Sequence, residues 1–295
     1  MHRIEKLPLT QHGRLLGLIT TKDIMKIESW PHANRDSKGR LRVGAAVGVK
    51  DTLERAEALI AAGVDVLILD IAHAHSDLTI QRLKELKANF SIDVMVGNIA
   101  TAAAAKDLIE AGADGLKVGI GPSPVCTTRI ISGAGVPQLT AVLDVYSVAK
   151  QFGVPVCADG GLKYPGDITK ALAAGATSIF SGTDEAPGMI LMKDGKRYKR
   201  YMGSASYDSN HERKESQEGK KVKEKLDVFV EGVAVLVDYK GPVEEVIKGL
   251  LKGLQSGMSY CGAYTVPEMQ LNAEFIQITS SACEESLSRG TKLSE

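Results

Sequence analysis

A chain of 295 residues with 44% hydrophobic content has the apolar material for one large core, or a core with a small appendage, and is not of a disordered class. Its 36 lysines plus arginines balance 36 aspartates plus glutamates, so there is no charge footprint for nucleic acid or an anionic membrane, and a small-molecule partner is expected. No apolar run reaches the roughly 18 to 20 residues of a membrane span and the start lacks a signal pattern, which points to the cytoplasm.

In chain order, residues 4–25 read as two short strands about a QHG turn and the start of a helix, followed by a polar linker over 28–42. A repeating grammar then sets in. The amphipathic TLERAEALIAAG precedes the apolar VDVLILDI (64–71), SDLTIQRLKELKANF precedes SIDVMVGN, TAAAAKDLIEAG precedes GADGLKVGIG, and PQLTAVLDVYSVAKQFG precedes GVPVCADGG. A fifth unit, PGDITKALAAG, leads into ATSIFSG. Apolar strands between helices imply an α/β protein with a parallel sheet covered on both faces, either doubly wound or a (β/α) barrel. Polar, glycine-rich motifs after one strand end after another, at Asp70 to Ser76, Gly97-Asn98, Gly119 to Cys126 and Asp159 to Gly161, favour the barrel, since they would converge on one rim. Residues 203–226 are dense in charge and nearly free of large apolar groups, which suits a flap over a site or a solvated loop.

Four cysteines, Cys126, Cys157, Cys261 and Cys283, lie far apart with no CxxC pair, so they read as reduced thiols. Cys157, Cys261 and Cys283 read as small buried hydrophobes. Cys126 ends the loop GIGPSPVC, where Thr127, Thr128 and Arg129 bring hydroxyls and a positive charge that favour a thiolate, so it is a candidate nucleophile. Asp159 with Gly160-Gly161 reads by itself as a plain strand-end turn, and Asp70 and Asn98 as helix caps. His73 and His75, read as alternating on a strand end, would face opposite sides and make a poor metal pair.

The stretch GLKVGIGPSPVCTTRIISGAGVPQ resembles the cysteine loop of the IMP dehydrogenase and GMP reductase family, and the resemblance continues through LDIAHAHS, GNIAT, ADGGLKYPGDITKALAAGA, GTDEAPG, YKGPVEEV and SGMSYCGA. It implies a TIM-type (β/α)8 barrel over 43–295, without its first strands and with a mobile flap at about 203–230, while residues 1–27 resemble the closing part of a CBS-type regulatory module. In such a family Cys126 attacks C2 of a purine nucleotide and Thr128 assists beside it. Asp159, Gly160, Gly161, Ser181, Tyr201, Met202, Gly203 and Glu231 would hold the nucleotide, and Asp70, Asn98, Gly119 and Gly121 the NAD side. The resemblance also implies a potassium ion on the carbonyls of Gly121, Ser123 and Cys126, completed by Glu285 and Ser286 of a neighbour in a homo-oligomer, a tetramer.

Departures from the pattern are specific. Ser123-Pro124 stands where the family has Gly-Ser, which removes a hydroxyl and an N–H from the phosphate grip. Residues are missing before FSGTDEAPG, YKRYMGS is shortened, and the flap reads HERKES, with Arg213 but no tyrosine beside it to complete the water-activating pair. Three readings compete. An IMP dehydrogenase, making XMP with NAD, fits AHAHS, EAPG and the CBS-like start; a GMP reductase using NADPH needs no water-activating arginine; and a non-enzymatic remnant fits the lost phosphate grips.

Overall fold

The computed structural model of the protein describes residues 4–31, 33–176, 189–202, 206 and 232–287. Two antiparallel strands, β1 (Lys6–Gln11) and β2 (Arg14–Thr20), turn at His12-Gly13 as the QHG motif predicts. Helix α1 (Thr21–Ser29) follows directly, its first turn closed by Thr20 and Asp23, each bonding the other's backbone N–H.

Five parallel strands come next in sequential order: β3 (Gly44–Val47), β4 (Val66–Asp70), β5 (Asp93–Ile99), β6 (Gly115–Val118) and β7 (Val156–Ala158). Each new strand adds on the same side of the last, and Ala176 bridges the outer side of Val156, continuing in that direction. A doubly wound sheet reverses direction at a switch point; this run of strands does not. Strand β3 was missed in the sequence, because four residues reading GAAV carry little apolar signal.

The covering helices are α2 (Thr52–Ala61), α3 (Asp77–Asn89), α4 (Ala102–Glu110), the short α5 (Thr128–Ile131), α6 (Gln138–Phe152) and α7 (Pro165–Ala173). Helices α3 and α4 start where Ser76 and Thr101 accept the N–H three residues on, and α6 stops at the left-handed Gly153. Their inward stripes, Leu83 and Leu86, Ala104 and Leu108, Val142 and Val145, join Leu67, Leu69, Val94, Val96, Leu116 and Val118 of the sheet in one buried core. Removing a buried leucine from such a core costs about 2–5 kcal/mol.

Three antiparallel strands, β8 (Ile190–Lys193), β9 (Lys196–Met202) and β10 (Ala234–Asp238), form a separate sheet. Helices α8 (Val243–Tyr260), α9 (Val266–Asn272) and α10 (Ser280–Glu285) complete the described chain. Gly253 and Gly257, one turn apart on α8, lie on Pro165 and Thr169 of α7, so close that a β-carbon at either would collide. Gln270 of α9 donates to the Leu172 carbonyl at 3.0 Å and accepts from the Tyr146 hydroxyl at 3.1 Å, tying α9 to α6 and α7. No described helix is long and apolar enough to cross a membrane.

Two substitutions test this packing. Gly253→Ala would stabilise an exposed helix, yet here it is expected to destabilise the protein by about 1–3 kcal/mol, read as a lower urea midpoint. Burial pushes the Asp167 carboxyl up, but the N–H groups of Tyr164 and Lys163 and the Lys170 ammonium outweigh it and hold the group below its ordinary range. A depressed folded-state pKa contributes stability above the unfolded pKa that is lost as pH falls through the folded one. Asp167→Ala is therefore expected to cost about 1 kcal/mol at neutral pH, with the difference from wild type narrowing below about pH 4.

Candidate active site

The parallel strands all end at one edge, and the polar residues that follow them gather there. Asp70 ends β4, Asn98 lies near the end of β5, Gly119 follows β6 and Asp159 follows β7. Neither Asp70 nor Asn98 caps a helix, since Ser76 and Thr101 do so. The Asp159 N–H donates to the Val118 carbonyl at 2.8 Å, and Gly119 passes so close to the Asp159 carbonyl that a β-carbon there would collide with it. Gly160 and Gly161 lie against Pro122 and Ser123 of the cysteine loop.

The charge at this edge is organised by a residue that sequence reading passed over. Lys117, in β6, places its ammonium 2.5 Å from Asp159 Oδ2 and 2.9 Å from Asp70 Oδ1, while Asn98 Nδ2 donates to the same Asp159 oxygen at 3.0 Å and to the Gly119 carbonyl at 2.7 Å. Burial pulls the Lys117 ammonium down, but the charges and hydrogen bonds of Asp159 and Asp70 more than restore it, so its pKa stands above the ordinary lysine value. The available signal was a lysine in the middle of the apolar run GLKV, where only a paired charge is tolerated. Among the described residues, two buried amide oxygens, Asn98 Oδ1 and Gln138 Oε1, take no hydrogen bond.

The cysteine loop is held at both of its sides. Val125 is buried, the Cys126 N–H donates to the Ser123 carbonyl at 3.0 Å, and Val233 N–H donates to the Val125 carbonyl at 3.0 Å. Gly232 pairs with both Cys126 and Ser206, so the described residues flanking 207–231 meet beside the cysteine. The half-buried Cys126 thiol donates to the Thr128 hydroxyl at 3.1 Å, at the first turn of α5. Arg129, three residues after Cys126, is anchored within the loop: its Nη2 donates to the Val136 carbonyl at 2.6 Å and its stem lies over Gly121 and Gly135.

Tyr201 and Met202 lie in β9, opposite Val235 and Ala234 of β10. Glu285 and Ser286 are exposed at the end of α10. Ser181, Gly203, Arg213, Glu231 and, apart from Ser206, the flap expected at about 203–230 lie outside the described residues, as does the strand expected after Ala176. Two expectations are corrected. The histidines do not face opposite sides: residues two apart on a strand share a face, and in the loop after β4 the rings of His73 and His75 lie 6.5 Å apart, with His75 Nε2 2.8 Å from Asp107 Oδ2. Cys283 is exposed rather than buried, because α10 buries none of its residues.

A thiol set against a hydroxyl, a carboxylate bonded to an ammonium, and glycines that let backbones crowd together meet at this strand edge. Comparison with known proteins gives this arrangement a lineage. Residues 18–289 match the family model described as the IMP dehydrogenase / GMP reductase domain. The chain is 50% identical to inosine-5'-monophosphate dehydrogenase of Nitrosopumilus maritimus, over 97% of this chain and 62% of that protein. It is 48% identical to GMP reductase of Leishmania major, over 96% of this chain and 60% of that protein. A crystal structure of a variant GMP reductase from Trypanosoma brucei in complex with guanosine 5'-monophosphate superposes with a TM-score of 0.91 at 47% identity, covering 98% of this chain and 61% of that one. The chain thus spans about three fifths of the length of these relatives. By model, identity and structure it belongs to the IMP dehydrogenase / GMP reductase family.

Proposed function

We propose that this chain carries the nucleotide-converting site of an oxidoreductase that takes IMP to XMP with NAD. The observation that supports it is the meeting at one strand edge of a thiol set against a hydroxyl, Cys126 on Thr128, and a carboxylate whose two hydrogen bonds both fall on one oxygen, Asp159 Oδ2. Asp159 Oδ1 is then available to the ribose hydroxyls, and Gly160-Gly161 to the phosphate side. Cys126 would lose its thiol proton to solvent and bond through Sγ to C2 of the purine, the C2 hydride going to the nicotinamide, and water would later cleave the sulfur–carbon bond to release XMP and return the thiol. Covalent capture divides a difficult displacement at an aromatic carbon into two easier steps. Thr128 takes up the thiol proton's hydrogen bond and stands beside the group arriving at C2.

The dinucleotide side fits the residues present. Asn98 Oδ1 is a buried acceptor without a donor, and the Asp70 carboxylate is 43% exposed beside it, which suits an amide N–H and ribose hydroxyls. When bound there the nicotinamide supplies the hydride acceptor. Gly119 and Gly121 keep side chains away from that face. The carbonyls of Gly121, Ser123 and Cys126 are hard oxygen donors within one loop and would hold a potassium ion, with Glu285 and Ser286 of another copy in a tetramer. In this reading the five-stranded wall belongs to a (β/α)8 barrel, Ser181, Tyr201, Met202 and Gly203 line the nucleotide, Glu231 contacts the purine, Arg213 on the flap activates water, and residues 1–27 are the end of a CBS-type module.

A second reading, reduction of GMP to IMP with NADPH and loss of ammonia, is favoured by two observations. Arg213 lacks the tyrosine that accompanies it in dehydrogenases. Relatives named as GMP reductases match 96% of this chain, much as the dehydrogenases do, so the CBS-like start does not separate the two.

Nicotinamide absorbance followed with IMP plus NAD, and separately with GMP plus NADPH, decides between them. NADH formation with IMP is expected, falling at least about a thousandfold in Cys126→Ala. NADPH oxidation with GMP alone moves the assignment to the reductase, and activity in neither overturns both. Thr128→Val is expected to lower kcat by about a hundredfold while nucleotide affinity holds, measured by steady-state rates and calorimetry.

A further inference from the structure

We propose that Lys117 is a positioning residue of this site, an ammonium that crosses one whole strand to join the dinucleotide-side carboxylate of Asp70 to the nucleotide-side carboxylate of Asp159. The inference rests on the functional reading above for the roles of the two carboxylates; the bridge itself is geometry.

The register places Asp70 of β4 opposite Gly97 of β5, and Gly97 opposite Lys117 of β6. Adjacent strands lie about 4.8 Å apart, so the backbone of Asp70 is about 10 Å from that of Lys117. Lysine spans that gap only by laying its stem across the middle strand. Gly97 permits this, since a β-carbon there would collide with the Lys117 carbonyl and with its own β-carbon. From this crossing the ammonium reaches Asp70 Oδ1 at 2.9 Å and Asp159 Oδ2 at 2.5 Å, and its side chain keeps only 14% of its surface exposed.

Two carboxylates share one cation, so each is held by the other's partner. Without the ammonium they would repel across a partly dry edge, and Asp159 would keep Asn98 as its side-chain hydrogen-bond donor. Lys117 spends its contacts on Asp159 Oδ2, so it orients the oxygen left for the ribose without touching the nucleotide. A change on the dinucleotide side is felt at Asp159 through the same ammonium.

Calorimetric titration of the purified chain with IMP and with GMP tests this without any need for turnover. Lys117→Gln is expected to weaken nucleotide binding about 30-fold or more, and Lys117→Arg, which keeps a cation with two donors, to stay within about threefold of wild type. In the Asp159→Asn background, where the carboxylate to be positioned is gone, Lys117→Gln is expected to add less than about twofold. Thermal melts accompany each titration, and Lys117→Met, which fills the same space without charge, replaces Lys117→Gln if the amide variant does not fold. Wild-type binding that survives loss of the ammonium, or equal losses with and without the Asp159 carboxylate, overturns the positioning role alone. Failure of the wild-type chain to bind either nucleotide overturns the functional reading and this inference with it.

Discussion

Parallel pairing in sequential order is the constraint on which the rest of this molecule depends. When β3 to β7 pair in chain order and in one direction, every strand must finish at the same edge. The chain can then keep its strand interiors largely apolar, buried in one core with the helices, and gather most of its polar residues at the strand ends. Leu69, Val118 and Ala158 are the last core residues of β4, β6 and β7, and Asp70, Gly119 and Asp159 follow at the next position, while in β5 Asn98 lies between buried Val96 and Ile99. The core and the site are thus two ends of the same registers, and a shift in any pair would move both.

Crowding at that edge has its own requirements. Four strand ends, the cysteine loop and the residues before β10 meet in a small space, and they do so because backbones rather than side chains make the closest approaches. Gly119 against Asp159 and Gly97 under Lys117 are the two tightest of these. Where side chains do enter they carry hydrogen bonds to main chain, as Gln138 does to the Val118 carbonyl and Arg129 to the Val136 carbonyl. Backbone groups at a loop-rich edge need such partners, because water is partly excluded there. The result is a rigid floor beneath a single thiol, with Val125 buried as its anchor.

Charge is treated the same way. A lysine placed amid Leu116 and Val118 would be costly alone, and two carboxylates at neighbouring strand ends would repel. Together they form one hydrogen-bonded group that spans β4 to β7, and the side-chain bonds that Lys117 and Asn98 make to Asp159 both fall on Oδ2. Stabilising the edge and orienting the ligand-facing carboxylate are therefore the same interaction.

Much of this was legible in the residues alone. Apolar runs such as VDVLILDI, alternating with amphipathic helices closed by glycine, determine a parallel α/β sheet by local periodicity, and the loop GIGPSPVCTTR marks Cys126 by its setting. Helix starts at Ser76 and Thr101 follow from short-range hydrogen bonding, which a sequence states directly. Strand order, by contrast, is long-range, and only the folded chain shows the five described parallel strands running in sequence without a reversal. Tertiary structure likewise carried Lys117 across Gly97 to two carboxylates that lie 47 residues before it and 42 after it. Those outcomes turn on which strands become neighbours and in what register, and no local pattern encodes a contact whose partners are joined only by the sheet between them.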